Sequence, residues 1–249
     1  MREAAATAPI TTSASRCRHS AGERLYEEYY KTHGADRNDP LTNSGVTFQV
    51  FALERANIRA LQSLQLDRDQ AKVLDVGCGT GSSLLQFIKL GFVPQNLTGV
   101  DSSAERIEKA QARFPNVAFR CESAESMSFP DSTFDVAFES TLFMMLTDEA
   151  VAGRIAREML RVTRSGGYLM IADWRYAEPR SRDHRAVTRK RIASLFDVGG
   201  ATTVVARERG ALVPPLGRFL SRRAPSFYFV VQGILPFAVG QVTTVLKKL

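Results

Sequence analysis

Three glycines at two-residue spacing, Gly77, Gly79 and Gly81, follow an apolar run that ends in Asp75 and Val76, within the stretch KVLDVGCGTG at 72–81. An apolar run broken by glycines reads as a buried strand opening into a tight turn. Glycine permits backbone conformations closed to residues with a Cβ and lets a ligand lie against the main chain. A second apolar stretch ends in another acid, Asp101. A carboxylate at a strand tip can accept both hydroxyl hydrogen bonds of a ribose diol, a charge-assisted, bidentate arrangement that anchors and orients a nucleoside. A dinucleotide loop would place an acid at about the same distance, but its G-x-G-x-x-G pattern requires glycine at 77, 79 and 82. Position 82 is Ser82, so that pattern fails.

The elements that must position these residues alternate between strand and helix patterns. After the strand ending at Asp101, Ser102 is read as an N-cap, and an amphipathic helix carries Ala104, Ile107, Ala110 and Phe114 on one side. A strand over 117–121 leads to Ser123, Ala124 and Glu125, and a fourth strand over 134–138 follows Pro130 and Asp131. Then come a helix end, the pair Gly166 and Gly167, and a fifth apolar strand reaching Asp173.

Taken in this order, D-x-G-x-G-x-G at 75–81, the acid at 101, the turn at 122–125 and L-R-V-x-x-x-G-G at 160–167 resemble the class I S-adenosylmethionine-dependent methyltransferases of small-molecule type, over roughly residues 70–175. The resemblance implies an α/β fold, a Rossmann-like three-layer sandwich around a seven-stranded, mostly parallel sheet whose last strand is antiparallel beside the fifth. It implies S-adenosyl-L-methionine as cofactor. Asp75, Gly77, Cys78, Gly79 and Gly81 then hold its methionine part, Asp101 and Ser102 the ribose, and Ser123, Ala124 and Glu125 the adenine. Many relatives carry aspartate where Ser123 stands; a hydroxyl accepts more weakly than a carboxylate, and Glu122 and Glu125 are available to compensate. Glu139, at the end of the fourth strand, is a further residue that touches the cofactor or acts as a base.

Methyl transfer from a sulfonium is an in-line displacement, so the main task is alignment, which can supply ~7–11 kcal/mol of barrier lowering. A base is needed only when the acceptor must lose a proton. Relatives acting on small molecules often carry a histidine after the fourth strand, but the sequence there is ESTLFMMLTD. By position the candidates are Asp173, which is preferred, and Glu139, then Tyr176 and His184. Phe143, Met144 and Met145 read as core, with part of the cluster available to line an apolar acceptor pocket. The N-P-P-Y tetrapeptide of base and amide methylators is absent, as is a Pro-Cys nucleophile, so nucleic acid is not the expected partner. The expected reaction is methylation of a small-molecule, glycan or lipid-linked acceptor at oxygen. The alternatives are an RNA or protein methyltransferase using the basic C-terminal half, a cofactor-binding scaffold without turnover, and an aminopropyltransferase.

The 249 residues, 44% of them hydrophobic, suffice for one sizeable core. Residues 1–20 read as a disordered tail, with a transit-like composition as the alternative, and 21–249 as a single methyltransferase domain. Within it, 21–66 form an N-terminal helical cap over the cofactor end of the sheet, with a helix at about 46–64 directing Phe48, Phe51, Leu53, Ile58 and Leu61 to the core and Tyr29, Tyr30 and Arg37 as closing residues. Residues 211–238 are a long connection between the last two strands, punctuated by Pro214, Pro215, Pro225 and Pro236. Edged by Arg218, Arg222 and Arg223, it is read as buried against the sheet, roofing a substrate, or hugging a membrane. Cys17, Cys78 and Cys121 have no metal-ligand spacing and suit a reducing cytoplasm. The net charge of +7 concentrates between 175 and 223, which suits an anionic substrate, anionic lipid or a solvated face. The expected location is cytoplasmic or peripheral at a membrane.

Overall fold

The computed structural model describes residues 38–177 and 184–249. The reading of a tail at 1–20, the first part of the cap, and Tyr29, Tyr30 and Arg37 lie outside the described residues, as do Arg180 and Arg182. β1 (Val73–Val76), β2 (Leu97–Asp101), β3 (Ala118–Cys121), β4 (Phe134–Ser140) and β5 (Thr163–Trp174) pair in parallel. β7 (Gln241–Lys248) is inserted between β5 and β6 (Thr202–Arg209) and runs antiparallel to both, giving the order β3-β2-β1-β4-β5-β7-β6. This is the expected seven-stranded sheet, and β6, though bonded only through β7, points the same way as β5.

The central strands read as continuous apolar runs because both faces are covered; all of β1 is buried. Alternate residues feed opposite layers. Leu74, Ala137 and Leu169 pack against α4 (Glu149–Val162) and α5 (Arg189–Leu195) through Ala152, Ile155, Met159 and Ile192. Val73, Val136 and Met170 face the other way, towards α2 (Ser82–Lys89) and α3 (Ala104–Arg113) through Leu84, Phe87, Ile107 and Ala110. On that side too lies α1 (Thr47–Gln62), packed on β6 and β7 and against α6 (Pro214–Arg223).

Two local readings are corrected. In α1 Phe48, Leu53 and Leu61 pack against the core as expected, but Phe51 is 51% exposed, and the fully buried residues are small, Ala52, Ala56 and Ala60, which let the helix approach the sheet closely. A single buried polar residue fixes its register: Asn57 Nδ2 donates to Gln86 Oε1 at 3.0 Å, and its Oδ1 accepts from Thr243 Oγ1 at 2.8 Å. α3 starts after Ser103 rather than after Ser102, and Ala104 is exposed, because the Asp101 carboxylate itself takes the Ser103 N–H. The connection at 211–238 folds into α6 and α7 (Tyr228–Ile234), with Leu212, Leu220, Tyr228 and Val239 forming a small third core.

Strand order reverses between β2–β1 on one side and β4 on the other, which opens a crevice at the carboxyl ends of these strands. The Arg161 side chain holds the approach to β4, donating to the carbonyls of Phe129 and Met127 and pairing with Asp131 and Glu158. These bonds tie the β3–β4 loop to α4.

Candidate active site

A cavity of about 530 Å³ occupies that crevice. Its floor is the glycine turn, Gly77 to Thr80, with Ser82 and Ser83. One wall carries Asp101, Ser102, Arg106 and residues 122–125; the other carries Ser140, Thr141, Leu142, Met145 to Asp148, Val151 and Ile155. Of the sequence-predicted cofactor residues the cavity therefore gathers Gly77, Cys78, Gly79, Asp101, Ser102, Ser123, Ala124 and Glu125.

The turn folds because its amides have defined acceptors. Gly77 and Cys78 N–H both donate to Val100 O, at 2.9 and 3.0 Å, which bends the chain over the end of β2. Gly79 N–H donates to Asp101 Oδ2 at 3.0 Å, and Ser103 N–H to Oδ1 at 2.9 Å, with Arg106 Nη1 4.0 Å from Oδ1. Asp101 thus clasps the first turn to the second while lining the cavity. Gly79 and Gly81 both have positive φ, +53° and +78°, but face different surroundings. A Cβ on Gly79 would meet nothing within 4 Å, whereas one on Gly81 would lie 2.9 Å from Phe119 Cζ and 3.0 Å from Phe114 Cδ2. The space over Gly79 is open at the cavity's floor, whereas Gly81 is bare because the core needs the space; accordingly Gly81 does not line the cavity.

At the end of β3 the Ser123 hydroxyl accepts the Glu125 N–H at 3.2 Å, and Glu125 pairs with Arg154 at 2.7 Å. Glu122, a residue of the cavity wall, is 4% exposed; its Oε2 accepts Ser128 N–H, and its Oε1 is buried with no hydrogen-bond partner. An orphaned buried oxygen at a ligand cavity is a vacant acceptor. With the open backbone at Gly79 below and the carboxylates of Asp101 and Glu122 on one wall, the cavity offers the main-chain surface and acceptors that a nucleoside-bearing cofactor fits.

Glu139, Asp173 and Asp75 are placed elsewhere. None lines the cavity, and they are 0%, 2% and 1% exposed. Glu139 Oε2 accepts Leu142 N–H at 2.9 Å; Asp173 accepts Met144 N–H at 2.9 Å and Trp174 N–H at 2.7 Å. Arg191, buried on α5, donates to Phe143 O and Leu146 O at 2.9 and 2.7 Å. Two carboxyls and one guanidinium thus brace residues 141–146, the loop that presents Leu142, Met145 and Leu146 to the cavity. Thr141 at its start holds φ +61°, strain that this bracing sustains. Phe143 turns into the core against Phe196, so the aromatic–methionine cluster divides between packing and wall. Tyr176 and His184 are not on the cavity wall; the Tyr176 hydroxyl donates to Phe237 O at 2.9 Å. No residue of 38–66 lines it either, so the described part of the N-terminal cap lies on the sheet face.

Sequence reasoning did not single out Arg106, Thr141, Leu146, Val151 or Ile155. Arg106 was legible as the first basic residue of the helix after Asp101; the left-handed Thr141 carries no sequence signal.

Burial raises the Asp75 carboxyl to about 8, aided by the nearby Asp101 charge, and Asp173 to about 7; Glu139 is pushed up by burial and then by Asp173. Acids raised on folding bind protons that the unfolded chain releases above about pH 4. Their stabilisation is therefore complete at lower pH and is lost as pH rises through 7 and 8. The melting temperature is expected to fall between pH 5 and 8. Asp75→Asn, which keeps the neutral shape, should flatten that fall, since each unit of raised pKa is worth about 1.4 kcal/mol. An unchanged slope in the variant, followed by calorimetry, would assign the pH dependence to other groups.

Residues 73–167 match the family model described as a methyltransferase domain. Among curated relatives, the chain is 38% identical over 112 residues to 2-methyl-6-phytyl-1,4-hydroquinone methyltransferase of Synechocystis sp., covering 43% of this chain and 33% of that protein. It is 34% identical over 107 residues to the O-methyltransferase resE of Aspergillus sclerotiorum, covering 41% and 39%. The chain thus spans well under half the length of these two relatives. Among solved structures, the PH0226 protein of Pyrococcus horikoshii OT3 superposes with a TM-score of 0.60 at 17% identity, covering 89% of this chain and 99% of that one.

Proposed function

We propose that this chain, a class I S-adenosylmethionine-dependent methyltransferase in fold and family match, transfers the cofactor's methyl group to a small, largely apolar acceptor at a hydroxyl oxygen. The observation that carries the reading is the division of one cavity into a polar half built for a nucleoside and an apolar half of Leu142, Met145, Leu146, Val151 and Ile155. A hydroquinone in the name of one relative supports a small, largely apolar acceptor, and the name O-methyltransferase of another supports oxygen.

When bound, S-adenosylmethionine supplies an electrophilic methyl carbon on a cationic sulfur. The chain's own residues bind and orient. The bare main chain at Gly79 receives the extended part, Asp101 accepts from the ribose diol, and the Ala124 backbone with Glu122 takes the adenine edge. The apolar wall excludes water and presses the acceptor hydroxyl towards the transfer axis, the orientation effect that dominates such displacements. Glu139 and Asp173 act as positioning residues: by bracing residues 141–146 they set the distance of that wall from the glycine turn. In this reading the hydroxyl proton, held with a pKa of about 10 in a free phenol, becomes strongly acidic as the oxygen–carbon bond forms and the carbon–sulfur bond breaks, and it leaves to solvent.

The reading through a basic RNA- or protein-binding half loses support from the arginines themselves. Arg191 is buried, and it and Arg185 both pair with Glu149. Methyl incorporation from labelled S-adenosylmethionine into hydroquinones, simple phenols, carboxylic acids and total RNA tests the reading. Transfer to the phenolic compounds is expected; transfer to RNA alone would overturn it.

Glu122 supplies a further prediction. Glu122→Ala removes the orphaned acceptor and should weaken S-adenosylhomocysteine binding by roughly tenfold, about 1.5 kcal/mol for a charge-assisted bond, whereas Ser123→Ala should change it little. The opposite ranking by calorimetry would return the adenine contact to Ser123.

A further inference from the structure

We propose that the outer face of α7 and its flanks docks this protein on an anionic lipid surface. The helix and its flanks show apolar residues to solvent: Val230 is 50% exposed and Ile234 69% within the helix, Phe227 61% and Phe237 67% on either side of it, and Phe219 of α6 60%. Spacing of three and four residues places 227, 230 and 234 on one stripe.

The stripe cannot turn inward, because the opposite side of the helix is pinned by polar groups. The Tyr228 hydroxyl accepts Leu212 N–H at 3.1 Å, and the buried Gln232 donates to Gly210 O. Arg209 donates to Gly233 O at 3.0 Å and Arg175 to Pro236 O at 2.5 Å, so two guanidinium groups stand at the carboxyl end of the stripe. Arg222 and Arg223 end α6 at its other end.

Charge complementarity selects the occupant. Residues 210–238 contain no Asp or Glu, while Arg218, Arg222 and Arg223 fall within them. Aromatic and branched residues on one face with an acid-free cationic rim are the composition of an interfacial segment, which inserts to the depth of the headgroups and gains from anionic lipid. No helix among the described residues is long and apolar enough to cross a membrane, so the contact is with the surface. β6 ends and β7 begins at the carboxyl edge of the parallel strands, so this face lies along the same edge of the sheet as the cavity.

The docking stands independently of methyl transfer and is tested without cofactor or acceptor. The full chain is sedimented with vesicles of phosphatidylcholine mixed with phosphatidylglycerol, and with phosphatidylcholine alone. Binding to the anionic vesicles is expected, weakened several-fold by high salt, and at least tenfold weaker to neutral ones. Phe227→Ser/Ile234→Ser should lose at least tenfold in vesicle partitioning while its melting temperature and S-adenosylhomocysteine affinity stay at wild-type values. Absence of binding to anionic vesicles, or equal binding by the double variant, would overturn the proposal. A wild-type dimer in sedimentation velocity that the same variant dissociates would assign the face to a second copy of the chain and overturn it equally.

Discussion

Gly79→Ala is expected to weaken S-adenosylmethionine binding on the order of a hundredfold while leaving the protein folded. The added Cβ meets no protein atom within 4 Å, so the native state bears only the cost of a left-handed alanine, about 1–2 kcal/mol. The methyl instead projects into the space above the turn, where the cofactor must lie against the main chain. A loss on the order of a hundredfold in affinity, about 2.7 kcal/mol, should accompany a shift of a few degrees in melting temperature. Gly81→Ala provides the contrast. Its Cβ would press on Phe114 and Phe119, ring carbons in a packed layer, so it should lower stability first and affinity only through that. Calorimetric titration and thermal melting of both variants check the pair. Wild-type affinity in Gly79→Ala would remove the turn from the binding site.

Asp101→Ala carries the second large effect. The carboxylate accepts from Gly79 and Ser103 and stands beside Arg106, so truncation takes away the clasp between the two turns together with the diol acceptor. A bond to a charged group is worth about 1.5–3 kcal/mol, and loss of affinity of at least the upper figure is expected by calorimetry. Asp101→Asn, which retains one acceptor oxygen, should fall between wild type and Ala. If the alanine variant bound as well as wild type, the ribose role would be refuted.

Much of this was legible in the sequence. The glycine spacing at 77–81 fails the dinucleotide pattern at Ser82, Asp101 terminates an apolar strand, and Gly166 and Gly167, expected before the fifth strand, fall within its opening residues, where the register with β4 shifts. Each is a local signal tied to backbone geometry, and together they fix the topology that gathers Gly79, Asp101 and Ser123 at one cavity. What the chain hid are properties of direction and depth. Glu139 and Asp173 lie at strand ends, as Asp101 does, but sequence position cannot tell a carboxyl aimed at a cavity from one turned beneath a loop. Arg191 reads as one basic residue in a basic segment, and only packing shows it spent on the carbonyls of Phe143 and Leu146. In α1 Phe48, Leu53 and Leu61 pack as expected, but Phe51 turns outward and the alanines at 52, 56 and 60 are the fully buried residues, because close helix–sheet approach rewards small side chains. Glu122 was separable from Ser123 and Glu125 only once the partners of all three were known.

The central claim is that the cavity at the ends of β1, β2 and β4 holds S-adenosyl-L-methionine. Calorimetric titration of the purified chain with S-adenosylmethionine, S-adenosylhomocysteine and NAD measures it directly. Micromolar binding of the first two, with one site per chain and none for NAD, is the result predicted. Saturable binding of NAD, or no heat with either sulfur compound, would contradict the assignment of the glycine turn and Asp101.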